Sequence, residues 1–169
     1  MEPTERHYIA GMTVALDDLD QRILDLLLRD GRTPASQLAD QVGLSRPAVA
    51  ERIEKLERAG VVRGTTVVLD PNSLGRAVTA FVAARGPKLE AKAMKHFREL
   101  MEREDVLEVH TVAGEDCYLI KVRTDSIPSL NAILNELSSA PLSLATRTTI
   151  VMQTHCEKVG GIVLRAEQP

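Results

Sequence analysis

Aromatic residues are nearly missing from this chain: two Phe, two Tyr and no Trp among 169 residues. Its cores must therefore be aliphatic, packed from Leu, Ile, Val and Ala. A unit of about 60 residues built this way buries only a modest core, which favours association with further copies. Cysteine is scarce as well. Cys117 and Cys156 are the only two, and they form neither a disulfide framework nor a paired metal-ligand motif. Such usage fits a reducing cytoplasm. No apolar run reaches the ~18 residues of a membrane span. The stretch MEPTERHYIAGMTVA lacks a signal peptide's long apolar segment, and residues 1–14 read as a disordered extension.

Chemical motifs are also wanting. There is no glycine-rich phosphate loop and no nucleophile elbow, and His110, Cys117, His155 and Cys156 show no metal-site spacing. The expectation is a protein with no cofactor, no metal and no catalytic group. Excess positive charge is absent too, the formal net charge being −3. That argues against a general polyanion binder. A local basic face is still allowed, because salt screens charges more than about 10 Å apart.

What is present begins with three helical patterns over residues 15–62. In LDDLDQRILDLLLRDG, Leu16, Leu19, Ile23, Leu26 and Leu27 form a helical apolar stripe. Asp17 and Asp18 stand at its positive end, and Gly31 is the expected stop. In PASQLADQVG, Pro34 suits a first turn, Leu38, Ala39 and Val42 face inward, Gly43 breaks the helix and Leu44 plugs the turn. In SRPAVAERIEKLERAG, Ser45 is an N-cap, Pro47 fits the first turn, and Gly60 ends the helix. Val49, Ile53 and Leu56 line one side of it. A short helix, a tight glycine turn and a second amphipathic helix make a helix-turn-helix.

The basic residues of this last segment raise a question in an acidic protein. Arg46, Arg52, Lys55 and Arg58 stud the helix, and Arg63 follows. A recognition helix enters the major groove with its N-terminal residues toward base edges. Arg46 suits a bidentate bond to guanine, and Glu51 can accept from a cytosine amino group. Arg52, Lys55 and Arg63 suit phosphate, as does Ser45 through the helix N-terminus. With Pro47 and Ala50, these residues make the expected DNA surface. The competing reading is a solvated helix tied by Glu51–Lys55 and Glu54–Arg58 pairs at i, i+4.

Residues 63–75, within VVRGTTVVLDPNSLG, read as a β-branched strand followed by a turn and linker. Residues 76–156 then alternate as βαββαβ, a ferredoxin-like order, with a tail over 157–169. One helix over 88–103 carries Leu89, Ala93, Phe97, Leu100 and Met101. A second, capped by Ser126 with Pro128 in its first turn, carries Ile127, Leu130, Ile133, Leu134 and Leu137. In the last strand Leu144, Thr146, Thr148, Ile150 and Met152 share one face, and Ala145, Arg147, Thr149, Val151 and Gln153 the other. Both faces of the sheet carry apolar groups, so the face without helices is expected to pack on another subunit.

Taken together, LDDLDQRILDLLLRDGR, LADQVGLSRPAVAERIEKLERAGVV, GTTVVLDPNSLG and the hairpin VAGEDCYLIKV resemble the Lrp/AsnC (feast/famine) transcription regulators over residues 15–156. The resemblance implies an α+β protein, an N-terminal winged helix-turn-helix domain followed by a C-terminal ferredoxin-like domain. It implies a regulator that binds specific double-stranded DNA and senses a small effector, usually an amino acid. It further implies dimers that assemble into tetramers or octamers. Many members carry Gly-x-aromatic-Asp-Tyr after the hairpin. Here Gly114-Glu115-Asp116-Cys117-Tyr118 places the acidic group one position earlier, and Cys117 stands in the usual Asp position. Gly114, Glu115 and Asp116 are the expected effector loop, the carboxylates for an ammonium group and backbone N–H groups for a carboxylate. Thr146, Thr148 and Thr149 are added as hydroxyl contacts. Siroheme decarboxylases resemble the same architecture and would draw on His96, His110 or His155. An architectural DNA wrapper is a third possibility.

Overall fold

The structure, a computed structural model, describes residues 14–157; the expected extension and tail lie almost wholly outside them. The chain divides into two compact units with the boundary between Val68 and Leu69.

The first unit holds α1 (Asp18–Arg29), α2 (Ala35–Val42) and α3 (Arg46–Arg58). α1 opens on a capping box: Asp17 accepts from the Asp20 backbone N–H at 2.7 Å, and the Asp20 carboxylate accepts from that of Asp17 at 3.4 Å. Gly31 does not stop this helix. Asp30 caps it in an extended conformation (φ −146°, ψ 100°), and its carboxylate accepts from the Arg32 N–H at 2.9 Å, so no left-handed residue is needed there. At the next turn one is needed. Gly43 has φ +74° at the end of α2, and both its N–H and that of Leu44 reach the Ala39 carbonyl. Arg22 donates to the Gln41 carbonyl at 2.9 Å, closing the negative end of α2. The core is Ile23, Leu38, Ala39, Val42 and Val49, with Leu19, Leu26, Leu27, Leu44 and Ile53 packed around it.

The expected wing strand is not formed. Residues 63–70 are exposed and belong to no ladder among the described residues. A β-branched sequence prefers extended backbone, but a strand exists only with a partner edge, and no other part of the first unit forms a strand among the described residues.

The second unit holds β1 (Val78–Arg85), α4 (Ala91–Met101), β2 (Val106–Thr111), β3 (Tyr118–Thr124), α5 (Ile127–Ser138) and β4 (Ala145–Ile150). The sheet is antiparallel in the order β2-β3-β1-β4, the ferredoxin-like arrangement expected from the pattern. Ala80, Val82 and Ala84 of β1 and Ile120 and Val122 of β3 face the helices. Against them pack Phe97 and Leu100 of α4 and Leu130, Ile133 and Leu137 of α5. Two expected stripe residues stay outside: Ile127 and Met101 are exposed, because each sits at a helix end beyond the reach of the sheet.

On the other face, Thr79, Phe81 and Ala83 of β1 line up with Arg123, Lys121 and Leu119 of β3. Phe81 and Leu119 are exposed there. Lys121 pairs with Glu108 at 3.2 Å and with Glu157, and Arg123 pairs with Glu157 at 3.1 Å. The two carboxylates hold the Lys121 ammonium above its ordinary pKa, Glu157 foremost. This face is mixed: apolar at Phe81 and Leu119, with Lys121 and Arg123 paired to carboxylates.

Candidate DNA interface and effector loop

α3 is positioned by its start. Ser45 is extended (φ −76°, ψ 154°) and its Oγ accepts from the Ala48 N–H at 3.4 Å, with Pro47 in the first turn. Val49 and Leu56 are its two buried residues. At about 100° per residue, Pro47, Glu51, Glu54 and Arg58 fall on the face opposite them. Ser45, Arg46, Pro47, Ala50, Glu51 and Lys55 are all exposed. The helix-turn-helix thus presents the N-terminal half of α3 as a free surface, with Arg46 at its tip. Arg63 is also exposed, but it lies past the C-terminal end of the helix, beside Glu57, Gly60 and Val62. Since α3 is about 18 Å long, Arg63 is not brought together with Arg46.

Arg52, expected at phosphate, is ion-paired within the first unit. Its Nη1 lies 2.6 Å from Asp17 Oδ2 and 2.6 Å from Asp20 Oδ1. Its guanidinium is raised above its ordinary pKa by these bonds, that to Asp17 first. The Asp17 carboxyl is held below its ordinary value, first by the Asp20 backbone N–H and then by Arg52. Lys55 Nζ stands 3.7 Å from Asp20 Oδ2, not against Glu51, while the expected Glu54–Arg58 pair forms at 3.0 Å. Asp20 was invisible to an argument about basic residues. Its signal was its place, four residues after Leu16 on the apolar stripe.

The hairpin between β2 and β3 has Gly114 at φ +145°, a conformation glycine tolerates and L side chains resist. The Cys117 N–H donates to the Ala84 carbonyl at 2.9 Å, which seats the end of the loop against β1. Asp116 is half-buried and accepts from Arg147 Nη2 of β4 at 2.9 Å. Arg147 was not among the expected effector residues. Glu115 is exposed. The three threonines are separated by the strand period: Thr146 and Thr148 pair with Ala84 and Val82 and share their helix-side face, whereas Thr149 pairs with Phe81 on the open face. Only Thr149 shares a face with Arg147. Among the described residues no group of three or more His, Cys, Asp or Glu could hold a metal ion, and no helix is long and apolar enough to cross a membrane.

Comparison with known proteins agrees with this division of labour. Residues 16–57 match the AsnC-type helix-turn-helix domain, and residues 79–160 the Lrp/AsnC ligand binding domain. The chain is 34% identical over 149 residues to the HTH-type transcriptional regulator FL11 of Pyrococcus abyssi, covering 86% of this chain and 95% of that one. The crystal structure of the Mycobacterium tuberculosis leucine response regulatory protein LrpA superposes with a TM-score of 0.73 at 33% identity, covering 85% of this chain and 97% of that one. Escherichia coli AsnC does so with a TM-score of 0.74 at 27% identity, covering 92% and all of that chain. These relatives are transcriptional regulators, not enzymes, and the chain belongs to the Lrp/AsnC family of DNA-binding transcriptional regulators.

Proposed function

We propose that the protein reads specific sites on double-stranded DNA and that a free amino acid alters its assembly or its DNA affinity. The observation that carries the first half is the free N-terminal half of α3, where Arg46, Pro47, Ala50 and Glu51 are exposed at the end that enters a major groove. Arg46 and Glu51 read base edges; Ser45, Lys55 and Arg63 hold phosphate. Arg52 serves the helix, not the DNA.

The effector site is the hairpin Gly114, Glu115 and Asp116, joined by Arg147 and Thr149. Asp116 and Arg147 present opposite charges 2.9 Å apart, a match for the ammonium and carboxylate of an amino acid. The name of the leucine response regulatory protein supports that class. Thr146 and Thr148, on the far side of the strand, belong to the core edge. Phe81 and Leu119 on the open sheet face support a homodimer, which assembles further to a tetramer or octamer in the cytoplasm. A two-fold dimer places its recognition helices on half-sites about one helical turn apart, so the operator is roughly palindromic.

The test is binding of the purified protein to its own upstream DNA at physiological salt, with and without a panel of amino acids. Footprinting reports half-site spacing and light scattering reports assembly. A protected, periodic site whose affinity shifts with one amino acid is the expected result. Absence of any sequence preference would refute the DNA reading, and indifference to the whole panel would refute the effector class.

A further inference from the structure

Asp20 is a carboxylate with 1% exposure in the first helix of a DNA-binding unit. A buried charge is tolerated when paired and hydrogen-bonded. Its cations come from the recognition helix: Arg52 Nη1 at 2.6 Å and Lys55 Nζ at 3.7 Å. Arg52 reaches Asp17 at 2.6 Å as well. Both carboxylates are fixed in turn by the capping box that starts α1.

α3 needs such a hold. Val49 and Leu56, its two buried residues, lie on one stripe two turns apart. Half-buried Ile53 packs on the same core roughly 40° round from Val49, on the side away from Arg52, so the apolar contacts span a narrow arc that fixes the distance and tilt of the helix and leaves rotation about its own axis softer. Arg52 lies roughly 60° round from Val49, and Lys55 roughly 120° in the same direction. An anchor off the stripe resists rotation. A turn of roughly 20° at a helix radius of about 5–6 Å moves a side-chain base by about 2 Å, which breaks a directional bond to a base edge. A lysine's contact with phosphate, made as a point charge, survives such a shift.

The geometry points to Arg52 as a positioning residue for DNA recognition: held by Asp17 and Asp20, it fixes the rotation of α3 and so the aim of Arg46 and Glu51. This rests on the reading of α3 as the helix that meets DNA.

The experiment measures fluorescence anisotropy of the full chain on its footprinted operator duplex and on a scrambled duplex, across a salt series. Asp20→Asn is expected to weaken operator binding by about tenfold or more, the scale of a lost base contact. It leaves binding to the scrambled duplex within about twofold and the salt slope unchanged. Arg52→Lys, which keeps the charge without the fork, restores part of the preference lost in Arg52→Met. If Arg52 instead holds phosphate, Asp20→Asn releases it and binding to both duplexes holds or tightens, while Arg52→Met lowers the salt slope by about one; that result overturns the inference. Circular dichroism checks folding. Asp17→Asn, at a half-exposed position where Asn still caps a helix, provides a folded variant with a smaller loss of preference in the same direction. No loss in folded Asp17→Asn overturns the inference too. A wild-type protein with no operator preference removes the DNA reading itself, and the inference with it.

Discussion

Phe97 and Tyr118 form the aromatic contact of the second unit, with ring centroids 4.6 Å apart at 45°. Phe97 is buried on α4, and Tyr118 is the first residue of β3, immediately after the hairpin proposed for the effector. The pair therefore ties that hairpin to the core. Phe97→Leu exchanges a ring for a smaller apolar group, costing up to about 1.5 kcal/mol in packing. It also loses about 0.5–1.5 kcal/mol of aromatic pairing. The sum, about 0.5–3 kcal/mol, corresponds to a drop in Tm of roughly 2–24 °C for a unit of this size. The assay is thermal unfolding of the wild type, Phe97→Leu, Tyr118→Leu and the double variant. Far-UV circular dichroism follows all four proteins, since two of them lack the Tyr118 ring. A coupling of about 1 kcal/mol is expected from the cycle. If the two single losses simply add, the rings contribute only as buried area and the tie between core and hairpin is not specific to them.

Three further outcomes follow from the sites. Arg46→Ala should cost about 1–3 kcal/mol per half-site and relax selectivity at one base pair; equal losses on every operator variant in an anisotropy series would make Arg46 a phosphate contact instead. Asp17 has a folded pKa below its unfolded value, so its contribution to stability is present above the ordinary aspartate value of about 3.9. That contribution is lost as pH falls through the depressed folded pKa. Hence the advantage of wild type over Asp17→Asn in urea titrations should be full at neutral pH and vanish near the acid limit; an advantage that grew with acid would reverse the assignment. Asp116→Asn and Arg147→Gln alter a surface pair whose arginine is exposed and should change stability by no more than about 0.5 kcal/mol. Both should nonetheless weaken amino-acid binding by calorimetry by about tenfold, and unaltered binding would place the effector elsewhere.

The parts legible in the sequence were those encoded locally. Ser45, Gly43, Gly60 and Ser126 mark helix ends because a cap depends on its own side chain and backbone. The βαββαβ order followed from apolar periodicity. Relations between distant residues were harder to see. The run from Val61 to Leu69 has every strand preference and no strand, since pairing depends on an edge that the run itself does not encode. Asp20 lies on the stripe of α1, four after Leu16, and Arg52 lies beside the stripe of α3, three after Val49, where opposite charges hint at a shared burial. Reading the basic residues as one class hid that hint. The alternation read in the last strand already put Thr149 on the face of Arg147 and apart from Thr146 and Thr148, yet hydroxyl chemistry grouped the three threonines and left Arg147 out.

The place of β1 in the sheet has a consequence for the order in which the protein comes into being. β1 lies between β3 and β4, pairing Val78 with Thr124 and Ala80 with Ile150. Both neighbours are made later, so the sheet cannot close until residue 150 has left the ribosome. The three helices of the helix-turn-helix are complete at Arg58 and their mutual contacts are local, the kind that forms fastest. At 5–20 residues per second, synthesis separates the two events by on the order of 10 s. During that interval each nascent chain carries a finished DNA reader and no regulator. Arrest-peptide force profiles should show one folding event once Val62 clears the tunnel and a second only after Ile150; a single late event would mean that the reader needs the sheet in order to fold.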